Sequence, residues 1–507
     1  MRKEKSLKNF FTNIIPYIIL TVLGFFRLKV LLNQLGVEIY ALNQLFIQIF
    51  AYISLAEAGI GTLITQQYYK CFVDNNREKI NQIYSSSQKL LRIVSYIMLG
   101  AGIIISFSLK LLTHNSLSLW YMQLLFMLYL FRSVMEYFMF APRFILIADQ
   151  KSYKINLLLN IYKILEILVE VSILTFYKNY AVILISSIII RFISYYYANK
   201  KAFKEYPWLH TVDKTIKISG MTSVILHKIA GTVYSNTDVL LVSAFLSPIE
   251  VTIYSSYNYI IKFINDLIYM LASAMTASMG NVLYKDDLEN QNIIFEKINS
   301  VFIFLAMSLC VPLYWSINSF ITLWIGQDKI MEPTALIIMI LTLYTSITSR
   351  PFLLIRDARA LYKESKIIAI SEAAINLILS IVFIKFMGIT GVVLATLIAT
   401  LFTTDIFYPI LIYKRILKKP SAPYFIKLVL SIIFSILLCY LGSYAKIILN
   451  VNNYVSWFLF SIIYGIISLF IIFLFNYTLF KSFREFFNEL YTSIIHKFQL
   501  ILKKGIN

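Results

Sequence analysis

The sequence has few charged residues, few cysteines and no long polar stretch between its apolar runs. Only 14% of its 507 residues are charged, whereas 59% are hydrophobic. Without a polar stretch of domain size there is no extramembrane domain to hold a conventional active site, so we expect no enzyme. The three cysteines lie far apart and form no CxxC or metal-ligand spacing, which argues against a zinc site and a disulfide framework. We therefore expect no metal and no bound cofactor.

Apolar runs of membrane-spanning length recur from end to end. A helix needs about 20 mostly apolar residues to cross a hydrocarbon core of about 30 Å. The candidate spans are residues 12–33, 39–66, 91–112, 117–141, 155–176, 180–198, 218–245, 252–279, 298–324, 334–354, 367–386, 389–412, 428–449 and 454–479. The sequence thus predicts an all-α polytopic membrane protein with about 14 transmembrane helices.

Basic residues predict the orientation of the chain. It holds 46 Lys and Arg against 26 Asp and Glu, for a net charge of +20. Most of the basic residues lie in the two ends and in alternate loops, and such loops stay on the cytoplasmic side. Both termini are therefore expected in the cytoplasm, and the first apolar run, which lacks a small-residue cleavage site, is expected to remain as a helix. A basic inner face meets anionic membrane lipids, so nucleic acid is not an expected partner.

Eight cations fall inside the predicted spans: Arg27, Lys29, Arg132, Lys163, Arg191, Lys228, Lys262 and Arg350. A Lys or Arg at the centre of a spanning helix costs roughly 2.5 to 3.5 kcal/mol, so such residues usually face a protein-lined or water-filled interior. Arg27 and Lys29 point about 200° apart on a helix, and Lys29 can snorkel to the outer end. We interpret Arg27 as a cavity cation, with a buried ion pair as the alternative.

Some of these cations have acids at helical spacing on the same span. Arg132 precedes Glu136 by four residues, and Lys163 precedes Glu166 and Glu170 by three and seven. Side chains at such spacings lie on one helix face and can pair. The spacing therefore predicts self-neutralised pairs along the fourth and fifth spans.

The seventh and eighth spans are more polar. Asn258, Lys262 and Asp266 share one stripe of the eighth span, which is typical of a helix beside a wet cavity, and the seventh span carries Lys228 and Asp238.

Glu57, in "SLAEAGIG" of the second span, has no charged neighbour on its own helix. It must therefore find a partner across the bundle or be protonated, because desolvation disfavours the charged carboxylate.

The chain divides into two similar halves of six spans each, which would form parallel repeats. The sequence predicts an N-lobe at 1–198, a basic cytoplasmic linker at 199–217, a C-lobe at 218–415, helices 13 and 14 at 416–479, and a cytoplasmic tail at 480–507. The tail has one apolar stripe with basic residues elsewhere, which indicates an amphipathic helix at the membrane surface.

The segments "LGVEIYALNQLFIQIFAYISLAEAGIGTLITQQYY" and "SNTDVLLVSAFLSPIEVTIYSSYNYI" carry a family resemblance. They resemble the polysaccharide-transporter branch of the multidrug/oligosaccharidyl-lipid/polysaccharide exporter (MOP) superfamily, the Wzx-type flippases. The resemblance covers essentially the whole chain and includes two extra C-terminal helices shared with lipid II flippases. It implies two pseudo-symmetric six-helix lobes around a central cationic cavity, which alternate between inward-open and outward-open states.

The resemblance also implies a function. Wzx-type flippases export undecaprenyl-diphosphate-linked oligosaccharide repeat units across the bacterial cytoplasmic membrane, for capsule, exopolysaccharide or O-antigen assembly. A polysaccharide polymerase and glycosyltransferases are the implied protein partners, besides membrane lipids.

The resemblance further implies roles for individual residues. Because the lipid II branch uses basic residues on its first and eighth helices, Arg27 and Lys262 correspond to diphosphate contacts. Lys228 and Asn258 are added as substrate-binding candidates in the same cavity. The second helix departs from that branch, since it carries Gln44, Gln48 and Glu57 where a further arginine is expected.

Acidic residues are the candidates for coupling. Glu57, Asp238 and Asp266 would serve a proton or sodium gradient or form a state-dependent salt bridge, with a static structural role as the alternative. Two other transporter classes compete with the main interpretation: a lipid II flippase, and a multidrug/cation antiporter of the same superfamily. A membrane-embedded polymerase or glycosyltransferase is disfavoured, because outer turns such as "THNSLS" and "LSPIE" are too small to hold catalytic groups.

Overall fold

The structure is a computed structural model that describes residues 2–57, 59–213, 222–285, 287–446 and 451–504. The described residues form helices joined by short turns and contain no strand. Two compact units, Met1–Ser255 and Ser256–Asn507, make up the chain. The predicted lobe and linker boundaries stay a prediction, and residues 214–217 of that linker and 505–507 of the tail lie outside the described residues.

The first unit is built mainly on α1, α4, α6 and α7. Its helices are α1 (Arg2–Ile53), α2 (Ile60–Val73), α3 (Arg77–Ser106), α4 (Leu119–Met139), α5 (Ala141–Ala148), α6 (Tyr153–Phe176), α7 (Tyr180–Glu205), α8 (Thr222–Phe245) and the first turns of α9 (Pro248–Lys285). α6 packs against both α1 and α7, α4 packs against α3 and α7, and α8 packs against α1.

The second unit is built around α10. Beyond the rest of α9 it contains α10 (Leu288–Ile325), α11 (Pro333–Thr348), α12 (Arg350–Ala358), α13 (Tyr362–Leu401), α14 (Thr404–Ile412), α15 (Ala422–Lys446), α16 (Tyr454–Leu479) and α17 (Lys481–Lys504). α10 packs against α11, α15 and α16, and α13 packs against α11 and α14. The tail helix α17 lies on α10 and α16, with Lys297 Nζ 2.6 Å from a Glu489 carboxylate oxygen.

Within the described ranges, eight helices are long and apolar enough to cross a membrane, or up to ten if each of two bent pairs is one span. Tyr362–Leu417 contains two of the predicted spans, 367–386 and 389–412, and Ile14–Glu57 covers most of two others, 12–33 and 39–66. The remaining predicted spans correspond to α6 and α8, whose charged and polar side chains reduce their apolar character. The prediction of an all-α polytopic chain with about 14 spans is therefore confirmed.

Single glycines join the two halves of α1 and of α13. Gly36 has φ 77° and ψ 179°, and Gly388 has φ 55° and ψ −133°. Positive φ at low energy is largely reserved for glycine, because it has no Cβ. Each long helix therefore changes direction at one residue, with no loop between its halves.

Several helices extend beyond the predicted spans. α3 begins at Arg77 although the predicted span starts at 91, and α7 continues to Glu205 beyond the predicted end at 198. The apolar run marks only the part of a helix that lies in hydrocarbon, whereas backbone hydrogen bonds continue through polar residues outside it.

Gly391 lies where the two halves of α13 meet and leaves no room for a side chain. A Cβ at this position would lie 2.4 Å from the backbone oxygen of Phe383, which cannot move without a shift of the helix. We expect Gly391→Ala to destabilise the second unit by about 1–3 kcal/mol, the usual range for overpacking. Thermal unfolding of the purified protein measures the change.

Gly465→Ala in α16 is the matched control for Gly391→Ala, because an added Cβ there would meet nothing within 4 Å. This substitution should leave the stability equal or slightly higher, since alanine has the better helix propensity. Equal melting temperatures for both variants would contradict the tight contact at Gly391.

Candidate functional site

Buried charges in the first unit pair between helices. Glu166 of α6 lies 3.0 Å from Arg191 of α7 and 3.8 Å from Arg132 of α4. The predicted pairs along one helix, Arg132 with Glu136 and Lys163 with Glu166, are therefore wrong. Glu166 is buried whereas Lys163 is exposed, so the carboxylate faces its neighbouring helices and the lysine does not.

Arg27 of α1 faces Glu170 of α6. Arg27 Nε lies 2.7 Å from Glu170 Oε2, and the Arg27 side chain keeps 31% of its surface exposed. This contact matches the alternative in which Arg27 is an ion-pair partner, while its role as a diphosphate contact stays a prediction. A guanidinium has five N–H donors, so pairing with one carboxylate leaves donors for a second anion.

Arg143 of α5 forms a second buried charge cluster. It lies 3.2 Å from Glu136, and its guanidinium carbon stands 4.4 Å from the ring centre of Tyr195. The distribution of basic residues in the sequence predicts that Arg143 lies in a cytoplasmic loop, yet its side chain is only 2% exposed. The apolar run "APRFILIA" around it is the signal that could have indicated burial.

Glu57 ends a 3-10 turn between α1 and α2. Tyr137 of α4 and Lys228 of α8 lie near enough to its carboxylate to interact with it electrostatically. The sequence left two possibilities for Glu57, a partner on another helix or a protonated carboxyl group. Partners on other helices are present. Its role in coupling stays a prediction.

Asp238 takes part in a hydrogen-bonded group that joins α1, α8 and α9 within the first unit. Tyr254 donates to Asp238 Oδ2 at 2.8 Å, and the hydroxyls of Tyr52 and Thr237 are 2.5 Å apart. Asp238 is buried, with 8% of its surface exposed. Its role in coupling or gating also stays a prediction.

In the second unit, the polar stripe of α9 has two parts. Lys262 is exposed, and Asn258 and Asp266 are half-buried. Asn265, by contrast, accepts a 3.0 Å hydrogen bond from Ser346 of α11 and so contributes to helix packing. The stripe therefore presents Lys262 as its accessible cation.

Lys228 and Lys262 differ from the arginines of the first unit. Both are exposed although they lie on helices that correspond to predicted spans. Among the described residues, neither lysine has a carboxylate oxygen within ion-pair distance. They thus remain available to an anion that reaches them.

The second unit also holds an apolar cavity of about 340 Å³ between α10, α11 and α15. Cys310 and Cys439 both line it, together with Tyr314, Trp315 and Tyr344. In the described ranges, no group of three or more His, Cys, Asp or Glu side chains could hold a metal ion.

No protein-family model matches this sequence, and no curated protein sequence matches it. Solved structures do resemble it. The lipid II flippase MurJ in its inward closed conformation has a TM-score of 0.70 and 18% identity, over 92% of this chain and 98% of that chain.

Two multidrug transporters are also similar. An inward-facing MATE-family transporter of the MOP superfamily has a TM-score of 0.58 and 18% identity, over 79% of this chain and 95% of that one. The MATE multidrug transporter DinF-BH has a TM-score of 0.58 and 16% identity, over 82% of this chain and 95% of that one. At these identities the likeness establishes that the chain shares the fold of these three proteins.

Proposed function

We propose that this protein is a flippase that moves undecaprenyl-diphosphate-linked oligosaccharide repeat units across the bacterial cytoplasmic membrane, for capsule, exopolysaccharide or O-antigen assembly. The observation that carries the proposal is Lys262, an exposed cation on a spanning helix with no described ion-pair partner. The resemblance of the sequence to Wzx-type flippases and the MurJ-like fold support it.

The charge of the substrate explains the need for such a cation. A diphosphate cannot cross about 30 Å of hydrocarbon unless its charge is shielded. Ammonium and guanidinium groups make charge-assisted hydrogen bonds to phosphate oxygens. Lys262 would bind the diphosphate directly, and the half-buried Asn258, one turn from Lys262, would add an amide donor. Lys228 stays a further candidate contact.

Arg27 would act differently, because it already holds a partner. A diphosphate that approaches its exposed side would compete with Glu170 for the guanidinium. Binding would then weaken the contact between α1 and α6, and release of the substrate would restore it. The pair would thereby link substrate occupancy to the packing of the first unit.

Coupling to a proton or sodium gradient is part of the proposal, with Glu57, Asp238 and Asp266 as the coupling or gating residues. Glu57 and Asp238 have partners on other helices, as a group that changes partners between states requires. The abundance of basic residues in alternate loops supports cytoplasmic termini. A polymerase and glycosyltransferases would use and supply the substrate.

Lipid II translocation is the second candidate, since the MurJ structure matches over nearly its whole length. Purified protein in liposomes that contain either lipid II or an undecaprenyl-diphosphate oligosaccharide separates the two. Accessibility of the glycan to an impermeant lectin or glycosidase reports which lipid crosses. We expect the oligosaccharide lipid to become fully accessible and lipid II to stay in its original leaflet.

Protein-free liposomes are the control for leakage in this assay. Movement of lipid II alone would replace the proposal with the second candidate. Movement of neither lipid, together with export of an organic cation, would indicate a drug antiporter and overturn both.

A further inference from the structure

A group of cations in the second unit has no acid in its own segment. A π-helical turn, Tyr413–Leu417, continues α14, and α15 begins at Ala422. We call four cations of this segment, all with exposed side chains, the basic turn: Lys414, Arg415, Lys418 and Lys419. The sequence has no Asp or Glu from residue 406 to residue 484. Within the described part of the chain, none of the four cations has a carboxylate oxygen at ion-pair distance.

Buried contacts fix the direction in which the basic turn points. Tyr413 and Leu417 are both buried. The Tyr413 hydroxyl donates to a Glu296 carboxylate oxygen at 2.5 Å, and the Asn292 side-chain amide donates to the Leu417 carbonyl oxygen at 3.1 Å. Glu296 and Asn292 both belong to α10, so one face of the turn is held against that helix. The cations therefore face away from the interior of the second unit.

The backbone carbonyl groups at this helix end are occupied. The last carbonyls of a helix carry partial negative charge, which would repel an anion. The Tyr413 carbonyl oxygen accepts the backbone N–H groups of Lys418 and Lys419, and the Leu417 carbonyl oxygen accepts the Asn292 amide. The four cations therefore determine the electrostatic potential here, and the N-terminal end of α15 at Ala422 adds to it.

Exposed apolar stripes lead to the basic turn on both helices. On α14, Phe407 and Ile410 are exposed and lie seven and four residues before Lys414. On α15, Ile426 and Ile433 are exposed and seven residues apart. Residues at these spacings share one face of a helix. Both helices belong to apolar spans, so these faces contact hydrocarbon chains, and the basic turn lies where the chains give way to head groups.

We propose that the basic turn binds the head group of an anionic phospholipid, whose acyl chains lie along the exposed stripes of α14 and α15. Ammonium and guanidinium groups make charge-assisted hydrogen bonds to phosphate oxygens. An anionic phospholipid presents a negative head group followed by apolar chains. The basic turn and the two stripes present the complementary order of charge and apolar surface.

Other cations of the chain already have carboxylate partners. Lys151 and Lys154 both contact Glu205, at 2.9 Å and 2.5 Å, and Lys297 contacts Glu489 at 2.6 Å. At such pairs a lipid phosphate would have to compete with a carboxylate that is attached to the protein. The basic turn imposes no such competition, because its cations have no described acidic partner.

The bound lipid would be a phospholipid of the surrounding membrane and not the transported lipid. The stripes are exposed to the bilayer, whose abundant anionic lipids are phospholipids, and occupancy follows concentration. The distribution of basic residues predicts that this loop lies in the cytoplasm. The negative surface potential of the cytoplasmic leaflet attracts basic segments next to spanning helices. The site does not depend on the function proposed above.

Native mass spectrometry of the purified full-length protein measures binding at this site. Phosphatidylglycerol and phosphatidylcholine with identical acyl chains are titrated separately, and we expect phosphatidylglycerol to bind the wild type more tightly. The double variant Lys414→Gln/Arg415→Gln should raise the apparent dissociation constant for phosphatidylglycerol at least tenfold, because each basic residue near an anionic lipid contributes a factor of about five. Binding of phosphatidylcholine, which has no net charge, should stay the same.

Lys363→Gln/Lys366→Gln is the matched control, since it removes two cations from the same unit. These lysines lie on either side of Glu364 in the first turns of α13. The variant should bind phosphatidylglycerol as the wild type does. Without lipid, both double variants should melt at the wild-type temperature, because no described ion pair is lost.

A competitor tests the apolar part of the site on the wild-type protein. Glycerophosphoglycerol has the head group of phosphatidylglycerol but no acyl chains. At equal concentration it should not displace the lipid, because it cannot bury apolar surface against the stripes. Displacement by this soluble competitor would indicate a site for free phosphate esters and contradict the proposal.

Three further results would overturn the phospholipid site. The first is equal affinity of the wild type for the two phospholipids. The second is an equal loss of phosphatidylglycerol binding in both double variants, which would show an effect of net charge alone. The third is displacement of phosphatidylglycerol by an equal amount of an undecaprenyl-diphosphate oligosaccharide, which would assign the basic turn to the transported lipid.

Discussion

Lys262→Gln is expected to reduce lipid-linked oligosaccharide flipping by about 10- to 150-fold. A hydrogen bond to a charged group contributes about 1.5–3 kcal/mol, and each 1.4 kcal/mol corresponds to a factor of ten. Lys262 is exposed, and no carboxylate among the described residues pairs with it, so the diphosphate has no partner to displace. The substitution would therefore remove the full interaction between the ammonium group and the diphosphate. The initial rate of flipping in liposomes that contain equal amounts of protein measures the effect.

Lys163→Gln is the matched control, since Lys163 is also an exposed lysine on a helix that corresponds to a predicted span. It belongs to α6 and is not among the proposed contacts, so its flipping rate should stay within about twofold of the wild type. The stability of Lys262→Gln should also be unchanged, because no ion pair is lost. A normal flipping rate in Lys262→Gln would remove this lysine from the site.

Glu166→Gln is expected to lower the free energy of unfolding by about 3–5 kcal/mol, because removal of one partner from a buried ion pair leaves the other charge uncompensated. Here two guanidinium groups, Arg191 at 3.0 Å and Arg132 at 3.8 Å, would lose their common carboxylate. Membrane proteins and soluble domains alike have limited stability to lose. The melting temperature and the amount of protein in the membrane both report the loss.

A double variant separates the effect of an uncompensated buried charge from the effect of altered side-chain packing. Glu166→Gln with Arg191→Gln removes one charge of each sign and should be more stable than Glu166→Gln alone. Glu485→Gln is the surface control: its contact with Lys481 is 3.7 Å long and exposed, so its change should stay within about 0.5 kcal/mol. Equal stability of Glu166→Gln and this control would show that the cluster contributes little.

Local pattern predicts the spans well, because the requirement to bury about 20 apolar residues in hydrocarbon acts on contiguous sequence. Even α6, with Lys163, Glu166 and Glu170, is recognisable as a span by its remaining apolar residues. The same requirement does not apply to helix ends in water. For that reason the apolar pattern does not predict the extension of α3 back to Arg77.

The candidate site is predictable only in part. The exposure of Lys262 follows from the polar stripe on its own helix, which one segment of sequence contains. The contact of Arg27 with Glu170 depends on how α1 and α6 are placed against each other, and helical periodicity within one segment carries no such information.

The single-residue junctions at Gly36 and Gly388 affect the susceptibility of the protein to proteolysis. Proteases need several residues of extended or looped backbone in their active sites, and such segments are where cleavage concentrates. Helical residues continue directly on both sides of each glycine. These two junctions therefore offer a protease almost no backbone to cleave.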